Sequence, residues 1–169
     1  MVRARDLCLR MLTARPRTRA ELRTGLLRKG FQGEVADEVL GRLDDVGLID
    51  DAAFAEMWVH SRHTYQGLGR RALAAELRCK GVAEPLAAQA VGAVDQESEE
   101  ERARQMVRKR LRAMTTIDEV VKVRRLVGML ARKGYSQGLA FQVVRDVLKE
   151  AGADSDLLED AAEAVDDQL

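Results

Sequence analysis

Three short segments carry side chains that could perform catalysis or bind a ligand. His60 and His63 lie one helical turn apart, a spacing that permits a shared metal ion, but no nearby carboxylate or cysteine completes a ligand set. Asp50 and Asp51 directly precede a helical segment, which favours helix capping over acid–base catalysis. The sequence contains no recognisable nucleophile–base pair. We therefore predict no catalytic residues, no metal site, no cofactor and a protein that is not an enzyme.

The third segment is glycine-rich and reads Gly67-Leu68-Gly69-Arg70-Arg71. Backbone amides at the start of a helix can bind phosphate. No predicted strand precedes this segment, and neither the dinucleotide-binding nor the P-loop pattern is complete. A flexible turn between two helices is the alternative. The side chains of Arg70 and Arg71 keep a contact with an anionic partner open.

The densest positive charge lies between residues 102 and 112. Arg104, Arg108 and Arg112 are four residues apart and align along one face of a helix, while apolar residues occupy a different face. We expect the basic face to point outward, where it could meet nucleic-acid phosphates or an acidic protein groove. The alternative is a solvated face that the preceding glutamates neutralise. Further basic areas comprise Arg15, Arg17, Arg19, Arg23, Lys122, Arg124 and Arg125.

Charge is unevenly distributed along the 169 residues, which include 28 basic and 28 acidic side chains. Residues 154–169 contain seven acidic and no basic side chains, so the rest of the chain has a surplus of seven positive charges. This distribution indicates an anionic partner, with the acidic tail either free or folded back. Two isolated cysteines and the lack of a long apolar run favour a cytoplasmic protein without disulfides or a membrane span.

A repeated segment places these charges on helices. The pattern Leu-x-x-Lys-Gly-apolar occurs around Lys29, Lys80 and Lys133, which are 51 and 53 positions apart. Apolar residues recur six, seven, ten and fourteen positions after each lysine, which predicts a helix packed by the same face in each unit. The glycine suits the left-handed position that ends a helix, and the lysine suits the negative end of the helix dipole.

Capping signals divide each unit into three helices. Capping boxes are predicted at Thr18–Glu21 and Thr116–Glu119, a cap at Ser136, and a first-turn proline at Pro85. We predict an all-α fold: an elongated, curved tandem array of three three-helix, helix-turn-helix-like repeats. The predicted segments are 1–49, 50–96 and 97–152, followed by an acidic tail at 153–169 with a weak helix near residues 157–165.

Two stretches resemble the RecX family of bacterial recombination regulators. The first is Gly47-Leu48-Ile49-Asp50-Asp51, followed by Phe54-Ala55. The second runs from Gly67-Leu68-Gly69 to Glu76-Leu77 and Lys80-Gly81. The resemblance extends over about residues 4–150 and includes the three helical units.

This resemblance implies a negative regulator of the RecA recombinase. Such proteins bind the RecA filament on single-stranded DNA and suppress its extension, ATP hydrolysis, strand exchange and co-protease activity, without a cofactor. We expect a monomer, and weak direct binding to DNA is compatible with its charge. The predicted partner-binding residues are Arg70, Arg71, Arg104, Arg108, Lys109, Arg112, Arg124 and Arg125. The alternatives are a sequence-independent, helix-turn-helix-like DNA-binding protein and a helical adaptor for another acidic protein.

Overall fold

The computed structural model describes residues 2–115 and 117–153, which form nine α-helices and no β-strand. The helices are α1 (Val2–Ala14), α2 (Arg19–Arg28), α3 (Gly33–Asp45), α4 (Asp51–Gln66), α5 (Arg70–Cys79), α6 (Glu84–Gly92), α7 (Gln96–Leu111), α8 (Glu119–Arg132) and α9 (Gln137–Glu150). The all-α class and the tandem three-helix repeat are confirmed. Apart from Ala153, the predicted tail and its weak helix lie outside the described residues.

Most of the predicted capping signals lie at the start of a helix. At α2 the Thr18 hydroxyl accepts the Glu21 amide at 3.1 Å, and the Glu21 carboxylate accepts the Thr18 amide at 3.3 Å. Ser136 caps α9 by accepting the amide of Leu139 at 3.3 Å, and Pro85 lies in the first turn of α6. Local sequence therefore fixes where these helices begin.

The start of α8 differs from the prediction. We expected Thr116 to cap this helix, but the cap is Asp118, whose carboxylate accepts the amide of Val120 at 2.9 Å. The helix begins at Glu119, and Thr116 lies outside the described residues. An aspartate is a strong N-cap, and Asp118 competes successfully for the free amides of the first turn.

The repeated apolar pattern forms the core of each three-helix unit. Residues seven, ten and fourteen positions after each lysine are buried in all three units: Ala36, Val39, Leu43, Ala87, Ala90, Val94, Ala140, Val143 and Val147. The residues six positions after each lysine are half-buried. The spacing therefore correctly predicted which face packs inward.

The helices pack into two compact units. One comprises the chain up to Ser61 together with Ala74–Ala93, and the other comprises Arg62–Leu73 together with the described chain from Val94 onward. Helices α4 and α5 contribute residues to both. The compact units therefore cut across the predicted middle segment, residues 50–96, because the start and the end of α5 pack with different neighbours.

Each Lys-Gly segment ends the second helix of its repeat in the same way. The φ angles of Gly30, Gly81 and Gly134 are 84°, 74° and 88°. In the third repeat the Gly134 amide donates to the Ala131 carbonyl at 3.0 Å, and the Tyr135 amide donates to the Leu130 carbonyl at 3.1 Å. This pair of bonds is a Schellman motif, and both other turns have the equivalent bonds. The prediction that glycine ends these helices is confirmed.

The Lys80-Gly81 turn packs on the start of α2. The Thr18 hydroxyl donates to the Lys80 carbonyl at 2.6 Å, and the Lys80 ammonium lies 2.8 Å from the Glu21 carboxylate. A Cβ atom added to Gly81 would lie only 2.3 Å from the Cβ of Ala20. The glycine and the small alanine therefore allow a close approach that larger side chains would prevent.

Helix α4 completes this contact between the first two repeats. The Asp51 carboxylate accepts the backbone amide of Arg19, the first residue of α2, at 2.9 Å. Lys80 Nζ lies 4.8 Å from the ring centroid of Trp58, whose indole N–H donates to Glu76 at 2.7 Å. The start of α2 is thus capped by its own residues and by the next repeat.

The Lys133-Gly134 turn packs in the same manner on the start of α5. The Lys133 carbonyl accepts the Gly69 amide at 2.8 Å, and the Gly134 carbonyl accepts the Arg71 amide at 3.2 Å. A Cβ atom added to Gly134 would lie 2.3 Å from the Cβ of Ala72. Two independent copies of the same repeat-to-repeat contact are therefore present.

Two further contacts hold the start of α5. The Glu99 carboxylate accepts the Arg70 amide at 2.8 Å, as Asp51 does for α2. The Tyr135 hydroxyl donates to the Gly67 carbonyl at 2.9 Å. Burial, together with the charge of Glu99, raises the pKa of Tyr135 to about 12, so the hydroxyl remains a donor.

We predict that replacing Gly81 with alanine destabilises the protein more than replacing Gly30. Both glycines have positive φ, which costs a substituted residue about 1 kcal/mol. Only at Gly81 would the new methyl group collide with a neighbour, adding about 1–3 kcal/mol. Urea unfolding followed by circular dichroism should separate the two variants. Equal losses would mean that the close approach to Ala20 contributes nothing.

We also predict that Glu21 makes stability dependent on acid pH. Burial opposes its ionisation, but hydrogen bonds from Arg15, Lys80 and the Thr18 amide outweigh burial and lower the pKa of Glu21 from 4.5 to about 2. The ionised carboxylate therefore stabilises the fold above pH 4.5, and this contribution is lost as pH falls toward 2. Thermal melts across this window should show a smaller pH dependence for Glu21→Gln. The exposed Glu34→Gln variant is the control, and it should behave like the wild type.

Candidate partner-binding surface

All eight predicted partner-binding residues belong to the compact unit that contains the third repeat. Arg70 and Arg71 begin α5, whereas Arg124 and Arg125 lie within α8. The remaining four lie on α7 or at its C-terminal cap: Arg104, Arg108, Lys109 and Arg112. Their contacts divide them into one structural residue and several exposed ones.

Arg104 is the structural residue of this set. Its guanidinium lies 2.7 Å from Glu100, 3.3 Å from Asp146 and 3.5 Å from Glu150, and its side chain is only 20% exposed. The hydrogen bond with Glu100 is the main cause that raises the pKa of Arg104 above its ordinary value. The expected outward orientation is therefore wrong for Arg104, because this side of α7 faces carboxylates of α9.

The end of α7 matches the prediction more closely. Arg108 is exposed and makes one ion pair, with Glu150 at 3.0 Å. Lys109 and Arg112 are also exposed. Arg110 is exposed as well, although its position is outside the four-residue spacing of the predicted basic face. Cations in the last turn of a helix are favoured by its dipole, so these side chains stabilise α7 while they face solvent.

Arg124 and Arg125 are exposed on α8, at positions that form a contact between repeats in the other second helices. Helices α2 and α5 begin ten residues before the lysine of their turn, whereas α8 begins fourteen residues before Lys133. Arg124 therefore corresponds to Ala20 and Arg71, which contact the turn of the following repeat. On α8 the two arginines therefore occupy the positions that, on α2 and α5, contact the Lys-Gly turn of the following repeat.

The glycine-rich segment forms the turn between α4 and α5. The Gly67 amide donates to His63, the Gly69 amide to Lys133 and the Arg70 amide to Glu99. These amides are already hydrogen-bonded, so they cannot form a phosphate site, and both glycines of the turn are buried. The side chains of Arg70 and Arg71 are exposed.

His63, Asp50 and four arginines of the first repeat have structural partners. His63 Nδ1 donates to the Leu68 carbonyl at 2.9 Å, and the described part of the chain contains no group of three metal-binding residues. Asp50 caps α4 by accepting the Ala53 amide at 2.8 Å, which confirms its predicted capping role. Arg15 pairs with Glu21, and Arg17 donates to the Met11 carbonyl. Arg19 pairs with Asp44, and Arg23 pairs with Asp37.

The inter-repeat roles of Asp51 and Glu99 were not predicted from the sequence. Both carboxylates come from the first helix of a repeat and cap the second helix of the preceding one. An acidic residue in the first turn of each of these helices was the available signal, but it is also explained by the dipole of its own helix.

Among the described residues, no helix has both the length and the apolar character needed to cross a membrane.

Comparison with known proteins identifies the family. The first, second and third three-helix domains of RecX match residues 4–43, 50–91 and 97–144, respectively. The regulatory protein RecX of Amycolatopsis mediterranei is 56% identical over 159 residues, covering 94% of this chain and 91% of that protein. Its counterpart in Streptomyces coelicolor is 53% identical over 157 residues, covering 93% of this chain and 84% of that protein.

A solved structure supports the fold independently. The crystal structure of RecX from Lactobacillus salivarius has a TM-score of 0.79 and 20% sequence identity, covering 86% of this chain and 95% of that one. Fold and relatives together define a regulatory protein built from three tandem three-helix domains. The chain belongs to the RecX family.

We predict that Arg104→Ala destabilises the protein by about 1–2 kcal/mol, because it leaves partly buried carboxylates of α7 and α9 without their cation. Arg112→Ala, at an exposed position, should cost less than about 0.5 kcal/mol. Urea unfolding curves of both variants test this difference. A neutral Arg104→Ala would show that the ion pairs contribute little to holding α9.

Proposed function

We propose that this chain is a negative regulator of the RecA recombinase. It binds the RecA filament on single-stranded DNA and suppresses filament extension, ATP hydrolysis, strand exchange and co-protease activity. Membership of the RecX family is the observation that carries the proposal. The protein acts by binding, in the cytoplasm, as a monomer and without a cofactor.

The exposed cations of the third repeat support an anionic partner. Arg108, Lys109 and Arg112 lie at the end of α7, and Arg124 and Arg125 lie on α8, within one compact unit. A nucleoprotein filament has a high density of phosphate charge, which attracts such a surface and makes association sensitive to salt. Arg104 contributes indirectly, since it fixes α7 against α9.

The repeat also supports a polymeric partner. A protein with three similar units can make similar contacts to successive protomers, so that weak individual contacts add up through avidity.

The two alternative functions differ from the proposal in what the protein binds. A DNA-binding protein needs only the phosphates, and a helical adaptor needs an acidic protein surface.

We predict that reversing exposed charges weakens inhibition of RecA. The assay measures ATP hydrolysis by RecA on single-stranded DNA as this protein is added. Lys109→Glu/Arg112→Glu and Arg124→Glu/Arg125→Glu should each raise the half-inhibitory concentration about tenfold at low salt and less at high salt. Arg3→Glu/Arg10→Glu, which reverses two exposed charges on α1, is the matched control and should change it less than about twofold.

The same titration separates the alternatives. Inhibition far below one molecule per RecA protomer indicates capping of filament growth, whereas inhibition only near equal amounts indicates binding along the filament. If the wild-type protein leaves RecA unchanged but binds DNA tightly, the DNA-binding alternative replaces the proposal. If the wild-type protein neither affects RecA nor binds DNA, the helical-adaptor alternative replaces the proposal.

A further inference from the structure

The three Lys-Gly turns have the same internal structure but different surroundings. The turns of the second and third repeats each pack on the start of a helix from the preceding repeat. The turn of the first repeat, at Lys29-Gly30, is exposed, and a Cβ atom added to Gly30 would find nothing within 4 Å. Within the part of the chain that the structure describes, the Lys29-Gly30 turn therefore lacks the contact made by the other two.

The two occupied turns show what such a turn accepts. In both, the lysine carbonyl accepts a hydrogen bond from the N-cap residue of the docked helix, through the Thr18 hydroxyl or the Gly69 amide. In both, the glycine lies against an alanine in the first turn of that helix, Ala20 or Ala72. The common ligand is thus a helix N-terminus with a hydrogen-bond donor at its cap and a small residue in its first turn.

The lysine side chains of the occupied turns also bind the docked repeat. Lys80 Nζ lies 2.8 Å from the carboxylate of Glu21 in the capping box of α2, and Lys133 Nζ donates to the Gln66 carbonyl at 2.9 Å. The side chain of Lys29, in contrast, is exposed and has no hydrogen bond or ion pair with any residue in ranges 2–115 and 117–153. Its ammonium is available to a carboxylate of another molecule.

The first turn also differs from the others in a way that suits a protein partner. Leu27, two positions before Lys29, is 40% exposed. The corresponding residues of the other turns are Arg78 and Ala131. An exposed leucine beside the backbone carbonyl groups of a helix end combines apolar and hydrogen-bonding surface, which is the composition of a small protein contact.

We propose that the Lys29-Gly30 turn docks the N-terminal turn of a helix from the partner protein. The partner helix begins with serine, threonine or glycine as its cap, has alanine or glycine in its first turn, and carries a glutamate that pairs with Lys29. The negative end of α2 then meets the positive end of the partner helix. This inference rests on the proposed function, in which the partner helix belongs to a RecA protomer.

The test uses the full chain and the same assay of RecA ATP hydrolysis on single-stranded DNA. Leu27→Ser/Lys29→Glu removes the apolar contact and reverses the lysine charge while the glycine and the core remain intact. We expect its half-inhibitory concentration to rise about tenfold, while Arg10→Glu, an exposed charge reversal on α1, changes it less than about twofold. Unchanged thermal melting of both variants shows that the fold is preserved.

A crosslinking experiment identifies the contact directly. A photoreactive amino acid in place of Lys29 should attach to the first turn of a RecA helix with the stated cap and small residue. Attachment elsewhere, or unaltered inhibition by Leu27→Ser/Lys29→Glu, overturns this inference but leaves the proposed function intact. A wild-type protein that does not inhibit RecA overturns both.

Discussion

The structure depends on a contact between the end of one helix and the beginning of another. The carbonyl groups at a helix C-terminus and the amides at an N-terminus lack partners within their own helices. Where the Lys80-Gly81 turn packs on α2, and the Lys133-Gly134 turn on α5, carbonyl groups of the turn accept hydrogen bonds from the beginning of the other helix. The glycines also keep the chains close enough for these bonds to form. Adjacent repeats are therefore joined by polar bonds with fixed directions as well as by apolar packing.

The many charged residues perform two different tasks. In the first repeat, Arg19 pairs internally with Asp44 and Arg23 with Asp37. In the third repeat, Arg104 has the same internal role, whereas the cations around Arg112 face solvent. A surplus of positive charge in the sequence thus overstates the charge that is available to a partner, and only neighbouring helices reveal which residues are neutralised.

Sequence reasoning located the helices and the core because these depend on nearby residues. The interval between Lys29, Lys80 and Lys133 gave the repeat, and their glycines gave the helix ends. Capping by Thr18 and Ser136 was equally local. The failures concern contacts between distant residues. Nothing near Arg104 in sequence indicates that Asp146 faces it, and nothing near Gly69 indicates that Lys133 accepts its amide.

Local signals can also compete, as the start of α8 shows. Asp118 and Thr116 both suit a cap, and a sequence pattern does not rank them when they are two positions apart. Compared with the second helices of the other two repeats, α8 begins one turn earlier relative to its lysine, which places Arg124 inside the helix and not in its first turn. A shift of one turn thus changes a potential repeat contact into exposed basic surface.

Trp58 gives this architecture a built-in optical reporter. It is the single tryptophan of the chain, and its indole lies between the Lys80 ammonium and the Glu76 carboxylate. The charges beside an indole influence the wavelength and intensity of its emission. Since Lys80 also pairs with Glu21 of the first repeat, intrinsic fluorescence reports on a side chain that joins the first two repeats, while circular dichroism follows all the helices together. Separation of those repeats would remove Glu21 from Lys80 and so change the charges around the indole.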